Sequence, residues 1–303
     1  MERHMSEIEL QDAVAGEICQ PERADWTIDQ GWEHYSAEQH ATWQTLFERQ
    51  TKLLPGRACD EFVRGMRDLP ISADQIPDFR RLSDVLMKRT GWQVVAVPGL
   101  VPDEVFFEHL AHRRFPSGHF IREPNELDYL REPDVFHDVF GHVPMLMNPA
   151  IAAYIQAYGE GGLRAQRLGK LTNLARAYWY TIEFGLLQQS DGLRIYGAGI
   201  ASSYTESVFA LDDPSPNRIR FDLERVMRTN YRIDDFQESY FVIRDVDELL
   251  ALAQIDFEPL YERAEGRPEY EPGQILPGDT LIARGTGRYH ADKRGPREIG
   301  RVR

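Results

Sequence analysis

The segment EPDVFHDVFGHVPML, residues 132–146, decides which fold and which site this chain can form. It contains His137 and His142, which would point about 140° away from each other on an ideal α-helix. Both imidazoles can reach one ion only if the helix is interrupted, and Gly141 and Pro144 provide the flexibility and the break for this. The pattern indicates either a metal site on a distorted helix or two hydrogen-bonded histidines of the core.

A third metal ligand is available in LARAYWYTIEFGLL, residues 174–187, which contains a single carboxylate, Glu183. An ionised carboxylate in such an apolar helix is costly to bury without a partner. Two imidazoles and one carboxylate leave about three coordination positions open, which is typical of non-haem Fe(II) oxygenases. A zinc protease is disfavoured, because Asp138 stands where that class has glutamate and the second histidine of HExxH is missing. Glu183 reaching solvent at the helix edge is the alternative.

The remaining patterns predict a mostly α fold, of the α+β class, in a single catalytic domain. Ser36 followed by Gln39 is a capping box that opens a long helix. Further helices are expected from residue 134 and over residues 59–69, 78–91, 103–115, 151–160, 171–189, 223–233 and 245–254. Short strands are expected over residues 92–101 and 237–243, and residues 192–207 are expected to form a strand, a turn and then a short helix. No alternating β–α–β pattern is visible.

The charge balance limits the classes of partner. The chain has 303 residues with 35 Lys and Arg against 49 Asp and Glu, a net charge of −14. Such an acidic chain repels nucleic-acid backbones and anionic membranes, so we expect neither as a partner. No apolar run is long enough for a transmembrane helix, and no signal peptide is visible. With only two cysteines, Cys19 and Cys59, the composition indicates a cytoplasmic protein.

We expect three regions along the chain. Residues 1–20 form a flexible lead-in, and residues 21–275 form the catalytic domain. Residues 276–303 are expected to be a basic, disordered tail, because the last twenty contain seven basic and two acidic side chains but no apolar face. A docking arm for an acidic partner is the alternative for the tail.

Three strings, in this order, resemble the pterin-dependent aromatic amino acid hydroxylases, and among them the bacterial phenylalanine hydroxylases most. They are EPDVFHDVFGHVPML, YWYTIEFGL at residues 178–186 and RIYGAGIASSYTES at residues 194–207. The resemblance extends from about residue 43 to residue 257. It implies a mostly α catalytic domain that hydroxylates L-phenylalanine to L-tyrosine with Fe(II), a tetrahydropterin and O2 as co-substrate.

The resemblance also implies roles for individual positions. His137, His142 and Glu183 match the catalytic iron ligands. The implied pterin-binding residues are Gly99, Leu100, Val101, Phe106, Asp138 and Tyr178. Arg122 matches the arginine that pairs with the substrate's α-carboxylate, a task that suits its planar fork of donors. The other implied substrate-binding residues are Leu130, Pro133, Trp179, Phe184, Gly199, Ser202 and Ile233, of which Ser202 also matches a hydroxyl near the first histidine.

Three positions bear on the choice of substrate. Trp179 and Phe184 are large, whereas the tryptophan enzymes of the family carry smaller residues there. Ile233 stands where the tyrosine enzymes have an aspartate, so the resemblance implies phenylalanine. Leu130 departs from the threonine of the animal enzymes. A tryptophan or tyrosine hydroxylase is the alternative, and a metal-free binding protein or a zinc hydrolase is a further one. The tail shows no heptad for the family's tetramerisation helix, so we expect a monomer.

Overall fold

The first helices of the structure follow the sequence closely. The computed structural model describes residues 23–128 and 132–294. In it α1, Ala37–Leu53, begins at the capping box, since Ser36 Oγ accepts from Gln39 N at 3.2 Å and Gln39 Oε1 accepts from Ser36 N at 2.8 Å. Helices α2, Asp60–Asp68, and α3, Phe79–Arg89, also lie where they were predicted.

A small β–α–β unit follows, and the sequence did not predict it. Strand β1, Gln93–Val97, pairs in parallel with β2, Arg114–Gly118, and α4, Asp103–Ala111, connects them. The helix predicted to residue 115 therefore ends early. Because β2 contains Pro116 and no alternation of apolar and polar residues, only its pairing with β1 reveals it as a strand.

The histidine segment forms a π-helix, Phe136–His142, which we call the first π-helix. A short 3₁₀ helix, Val143–Met147, follows directly. Hydrogen bonds from residue i to i+5 place residues five apart on one face of a π-helix. The interruption that the spacing requires is thus a wider helical turn, which brings both histidines to the same side.

The helix with the carboxylate ends earlier than predicted. After α5, Pro149–Arg167, helix α6, Leu171–Tyr178, continues into a second π-helix, Trp179–Glu183. The prediction of a helix to residue 189 was wrong, because Leu186–Gln189 forms strand β3. The strand character of this segment depends on partners on both of its edges, which local periodicity does not contain.

The second sheet has five strands in the order β4-β3-β6-β5-β7. Its middle strand, β6, is buried at every position and pairs in parallel with both of its neighbours. The strands not yet given are β4 Gly192–Ile195, β5 Asn217–Arg220, β6 Ser239–Ile243 and β7 Leu281–Ala283. The helices around them are α7 Ala198–Ala201, α8 Tyr204–Asp212, α9 Leu223–Val226, α10 Val246–Leu252 and α11 Glu258–Ala264. Helix α9 is shorter than the predicted 223–233.

The end of the chain contradicts the expectation of a disordered tail over the part that the structure describes. Strand β7 joins the second sheet, and helix α12, Arg288–Arg294, follows it. Composition missed both, because strand pairing and a few apolar and aromatic contacts hold a segment that is mostly polar and charged. The predicted lead-in over residues 1–20 and the end of the tail, residues 295–303, lie outside the described residues.

No helix in residues 23–128 and 132–294 is long and apolar enough to cross a membrane. Cys59 is a buried free thiol, and burial raises its pKa to about 12, so it is an unreactive core residue.

Candidate active site

Three side chains that are distant in sequence meet at one point. His142 Nε2 lies 3.2 Å from His137 Nε2 and 3.1 Å from Glu183 Oε1, and His137 Nε2 lies 3.6 Å from Glu183 Oε2. The two π-helices supply all three. Their ligand atoms fall within 4.8 Å of one another, which is close enough for a single ion to bind all of them. This is the cluster that the sequence predicted.

Ser202 decides which nitrogen of His137 is available to a metal. Its Oγ donates to the Ala198 carbonyl at 2.8 Å, so it accepts the proton of His137 Nδ1, 3.0 Å away. The proton is thereby held on Nδ1, and the lone pair of Nε2 faces the other two ligands. Such a contact orients the ring and increases its basicity as a ligand.

We expect Ser202→Ala to weaken metal affinity by about 10- to 100-fold, because the Nδ1 proton of His137 loses its acceptor. The dissociation constant for Fe(II), measured by competition with a chelator, tests this. Ser203→Ala is the matched control, since Ser203 caps α8 and does not touch the histidine. Equal affinities in the Ser202 variant and the unaltered protein would contradict the role of Ser202.

A buried ion pair positions the first π-helix. Asp134 is fully buried and accepts from Arg122 Nε at 2.8 Å and Arg122 Nη2 at 2.9 Å. The same carboxylate accepts from the backbone N of Arg122 and of His137, each at 2.9 Å. Asp134 therefore connects Arg122, the arginine expected to bind the substrate, with the backbone of His137.

Gly141 allows the first π-helix to approach α7. A Cβ at this position would lie 2.9 Å from the Ala198 carbonyl oxygen, closer than real Cβ contacts occur. Ser202 donates to this same Ala198 carbonyl and accepts from His137. A side chain at position 141 would therefore displace Ala198 and, through Ser202, disturb the ring of His137. The glycine that the sequence analysis assigned to flexibility is thus required for close packing.

The electrostatics of the cluster suit a divalent cation. Burial lowers the pKa of His137 to about 4, so its imidazole is neutral. Burial would raise the pKa of Glu183, but the charge and the hydrogen bond of His142 outweigh it and the pKa is lowered. Burial opposes the charged form of His142 as well, yet the Glu183 carboxylate raises its pKa. A cation would replace the proton between Glu183 and His142, as metal binding does in general.

Two cavities meet at the cluster, and His137 and Glu183 contribute to the walls of both. The first cavity, of about 150 Å³, also borders His142. Tyr178 contributes to its aromatic side, where its ring stacks on Tyr158 at 4.5 Å and meets Phe106 edge-on at 6.3 Å. All six residues expected at the pterin line this cavity, namely Gly99, Leu100, Val101, Phe106, Asp138 and Tyr178.

The second cavity, of about 580 Å³, shares His137 and Glu183 with the first but does not border His142. Trp179 forms part of its wall, stacked on Tyr231 at 4.3 Å and close to Phe184 at 4.8 Å. The structure brings together here Arg122, Pro133, Trp179, Phe184, Gly199, Ser202 and Ile233, all expected to bind substrate. Leu130, the remaining residue of that set, lies outside the described residues.

Sequence reasoning missed two polar residues in the second cavity. Glu206 accepts a hydrogen bond from the Tyr240 hydroxyl, and burial raises its pKa to about 7. Gln237 accepts from Trp179 Nε1 at 3.1 Å and so orients the indole. The string that contains Ser202 also contains Glu206, and this carboxylate after a run of small residues was the available signal.

Two imidazoles and a carboxylate on one side of an ion site, with open space on the other, define a mononuclear non-haem metalloenzyme of the iron type. The sequence pattern of the biopterin-dependent aromatic amino acid hydroxylases matches residues 31–255. The chain therefore belongs to this family, whose members use a tetrahydropterin and O2 with Fe(II).

The comparisons also identify individual relatives. The chain is 63% identical over 267 residues to the phenylalanine-4-hydroxylase of Caulobacter vibrioides, covering 88% of this chain and 91% of that one. It is 55% identical over 268 residues to the enzyme of that name from Chromobacterium violaceum, covering 88% and 90%. The iron- and phenylalanine-bound crystal structure of the Chromobacterium violaceum enzyme superimposes with a TM-score of 0.83 at 54% identity, covering 86% of this chain and 96% of that one.

Proposed function

We propose that the chain is a phenylalanine 4-monooxygenase, which converts L-phenylalanine to L-tyrosine with O2 and a tetrahydropterin at an Fe(II) site. The observation that carries this is that two cavities meet at the three-ligand cluster, with His137 and Glu183 in the walls of both. The relatives named above carry the same activity in their names. A site where two cavities meet can contact a cofactor in one cavity and a substrate in the other.

His137, His142 and Glu183 would hold the iron. When bound, iron and tetrahydropterin together supply the electrons that activate O2 for attack on an aromatic ring. The chain's own task is to hold the reactants in register and to exclude water. Phe106 and Tyr178 offer aromatic surface to a flat pterin ring in the first cavity.

The second cavity fits an aromatic amino acid. Arg122 uses Nε and Nη2 for Asp134, while its Nη1 makes a long contact of 3.4 Å to the Leu127 carbonyl. We assign Nη1 to the substrate carboxylate. Trp179 and Phe184 would contact the substrate ring. Ile233 presents no polar partner for a ring hydroxyl, which favours phenylalanine over tyrosine.

The direct test is product formation by the iron-loaded protein with tetrahydrobiopterin, O2 and each of the three aromatic amino acids. We expect tyrosine from phenylalanine at the highest rate. Faster hydroxylation of tryptophan or tyrosine would move the chain to the alternative, and no hydroxylated product from any of them would refute the proposal.

Replacing Arg122 by lysine should lower kcat/KM for phenylalanine by about 100-fold, mainly through KM, because an ammonium group cannot hold Asp134 through two donors and still present a third to the substrate carboxylate. Steady-state kinetics at varied phenylalanine measures this. Arg232→Lys is the matched control, since Arg232 lines the same cavity but pairs with Glu238. A larger rise in KM for the control would contradict the assignment.

We also propose that the protein acts in the cytoplasm as a monomer, without nucleic-acid or membrane partners. The net charge of −14 and the lack of a heptad in the last residues support this. Light scattering after size exclusion should give a mass near the 35.0 kDa of one chain. A mass of two or four chains at micromolar concentration would overturn it.

A further inference from the structure

The segment 281–294, which we call the C-terminal clasp, forms part of the wall of the second cavity. It consists of β7, the turn after it and α12, and its Lys293 lines the cavity together with Ile233. The family match ends at residue 255, so the clasp lies outside the part of the chain that the family pattern describes. The sequence had assigned this segment to a solvated tail.

The clasp is attached along its first half. β7 pairs antiparallel with β5, with Ile219 opposite Leu281. In the turn that follows β7, Gly285 N donates to Asn217 Oδ1 at 2.9 Å, and Gly287 N donates to the Ser215 carbonyl at 2.9 Å. A Cβ on Gly285 would lie 2.2 Å from that same carbonyl oxygen, so the turn packs backbone to backbone.

The second half of the clasp holds Asp235. Its carboxylate Oδ1 accepts from the Tyr289 hydroxyl at 3.0 Å and from Lys293 Nζ at 2.8 Å. The Tyr289 ring contacts Phe209 at 5.1 Å and Phe236 at 5.2 Å between centroids. A lone surface ion pair stabilises little. The contacts of Asp235 are not of this kind, because its side chain is only 17% exposed. In addition, packing against Phe209 and Phe236 fixes the position of Tyr289, one of these two donors.

Asp235 belongs to a loop, residues 232–237, that lines the second cavity. Ile233 and Gln237 line the cavity from this loop. Gln237 Nε2 donates to the Arg232 carbonyl at 2.7 Å, and Gln237 Oε1 accepts from Trp179 Nε1 at 3.1 Å. The conformation of the loop therefore determines the positions of Ile233 and of the Trp179 indole, which would contact a substrate ring.

We propose that Tyr289 and Lys293 are positioning residues, which act through Asp235 on the loop 232–237 and so tune recognition of the substrate's aromatic ring. This inference rests on the proposed function of the second cavity. Since neither residue touches the metal cluster, their loss should change how the substrate is held and leave iron binding intact.

The test uses the full chain with Tyr289→Phe and Lys293→Met combined. We expect KM for phenylalanine to rise by about tenfold, as for the loss of hydrogen bonds to a half-buried carboxylate, with kcat within about twofold. Less tyrosine should form per tetrahydropterin oxidised, because a loosely held ring is out of register with the iron. When Lys293→Arg replaces Lys293→Met in the double variant, the rise in KM should be smaller, because arginine keeps a charged donor for Asp235. Arg288→Gln, on the exposed side of α12, is the matched control.

Hydrogen exchange of the peptide that contains residues 232–237 gives a second readout, which needs no turnover. Faster exchange in the double variant than in the Arg288→Gln control is expected. Unchanged exchange would show that the clasp does not hold the loop 232–237. Faster exchange with an unchanged KM and an unchanged yield of tyrosine per tetrahydropterin oxidised would overturn the positioning role of Tyr289 and Lys293. Failure of the unaltered protein to form tyrosine would refute the proposed function instead, while the exchange result would still decide whether the clasp holds the loop. Iron content and melting temperature show whether each variant is folded.

Discussion

Replacing Glu183 by alanine is expected to lower tyrosine formation by more than about 1,000-fold, because the three-residue cluster loses its anionic ligand. Glu183 Oε1 and Oε2 lie 3.1 Å and 3.6 Å from the ligand nitrogens of the two histidines, so the carboxylate completes the cluster. Two neutral imidazoles alone bind Fe(II) weakly and do not fix its open positions. Iron content after dialysis measures the loss of iron binding, and the rate of tyrosine formation measures the loss of activity.

The control separates loss of the ligand from loss of a buried charge. Glu206→Gln removes another carboxylate buried near the second cavity but leaves the cluster intact. We expect that variant to retain its iron. Stoichiometric iron in Glu183→Ala together with near-normal activity would show that Glu183 is not a ligand.

The second large effect concerns stability. Asp134→Ala should lower the free energy of unfolding by about 3–5 kcal/mol, because it leaves Arg122 buried without its counter-charge. Burial alone would raise the pKa of Asp134, but Arg122 outweighs it and holds the pKa below its usual range. Since the folded-state pKa is depressed, this stabilisation is present at neutral pH and is lost as the pH falls through the lowered pKa.

Urea unfolding followed by circular dichroism measures this change. Asp84→Ala removes an exposed aspartate of α3 and should change stability by less than about 0.5 kcal/mol. Replacing both partners, with Arg122→Met and Asp134→Leu, should recover most of the stability while phenylalanine turnover stays low. A double variant as active as the unaltered protein would contradict the role of Arg122 in binding the substrate.

Prediction from sequence was accurate where the signal is local. The capping box at Ser36 depends on two residues three positions apart, and the structure has it as predicted. The ligand types of the site were also readable, because His137 and His142 share one short segment with a glycine. Strands β2 and β3 were not predicted, since each is defined by a partner strand rather than by its own pattern.

The clasp shows the same limit at the level of the site. Tyr289 and Asp235 are 54 positions apart, so no spacing within the tail indicates that it reaches the second cavity. Net charge suggested a solvated segment, because composition counts the exposed basic residues and gives no weight to one strand pairing and a few aromatic contacts.

The sequence by itself determined which groups are available to bind a metal, since ligand chemistry belongs to the residue type. It also determined that His137 and His142 could meet only on an interrupted helix. The tertiary structure decided that the interruption is a π-helix, that Glu183 completes the cluster rather than reaching solvent, and that Ser202, 65 positions from His137, sets its tautomer. The physical reason is that coordination and hydrogen bonding act over about 3 Å in space, whereas sequence patterns report only neighbours within a few helical turns.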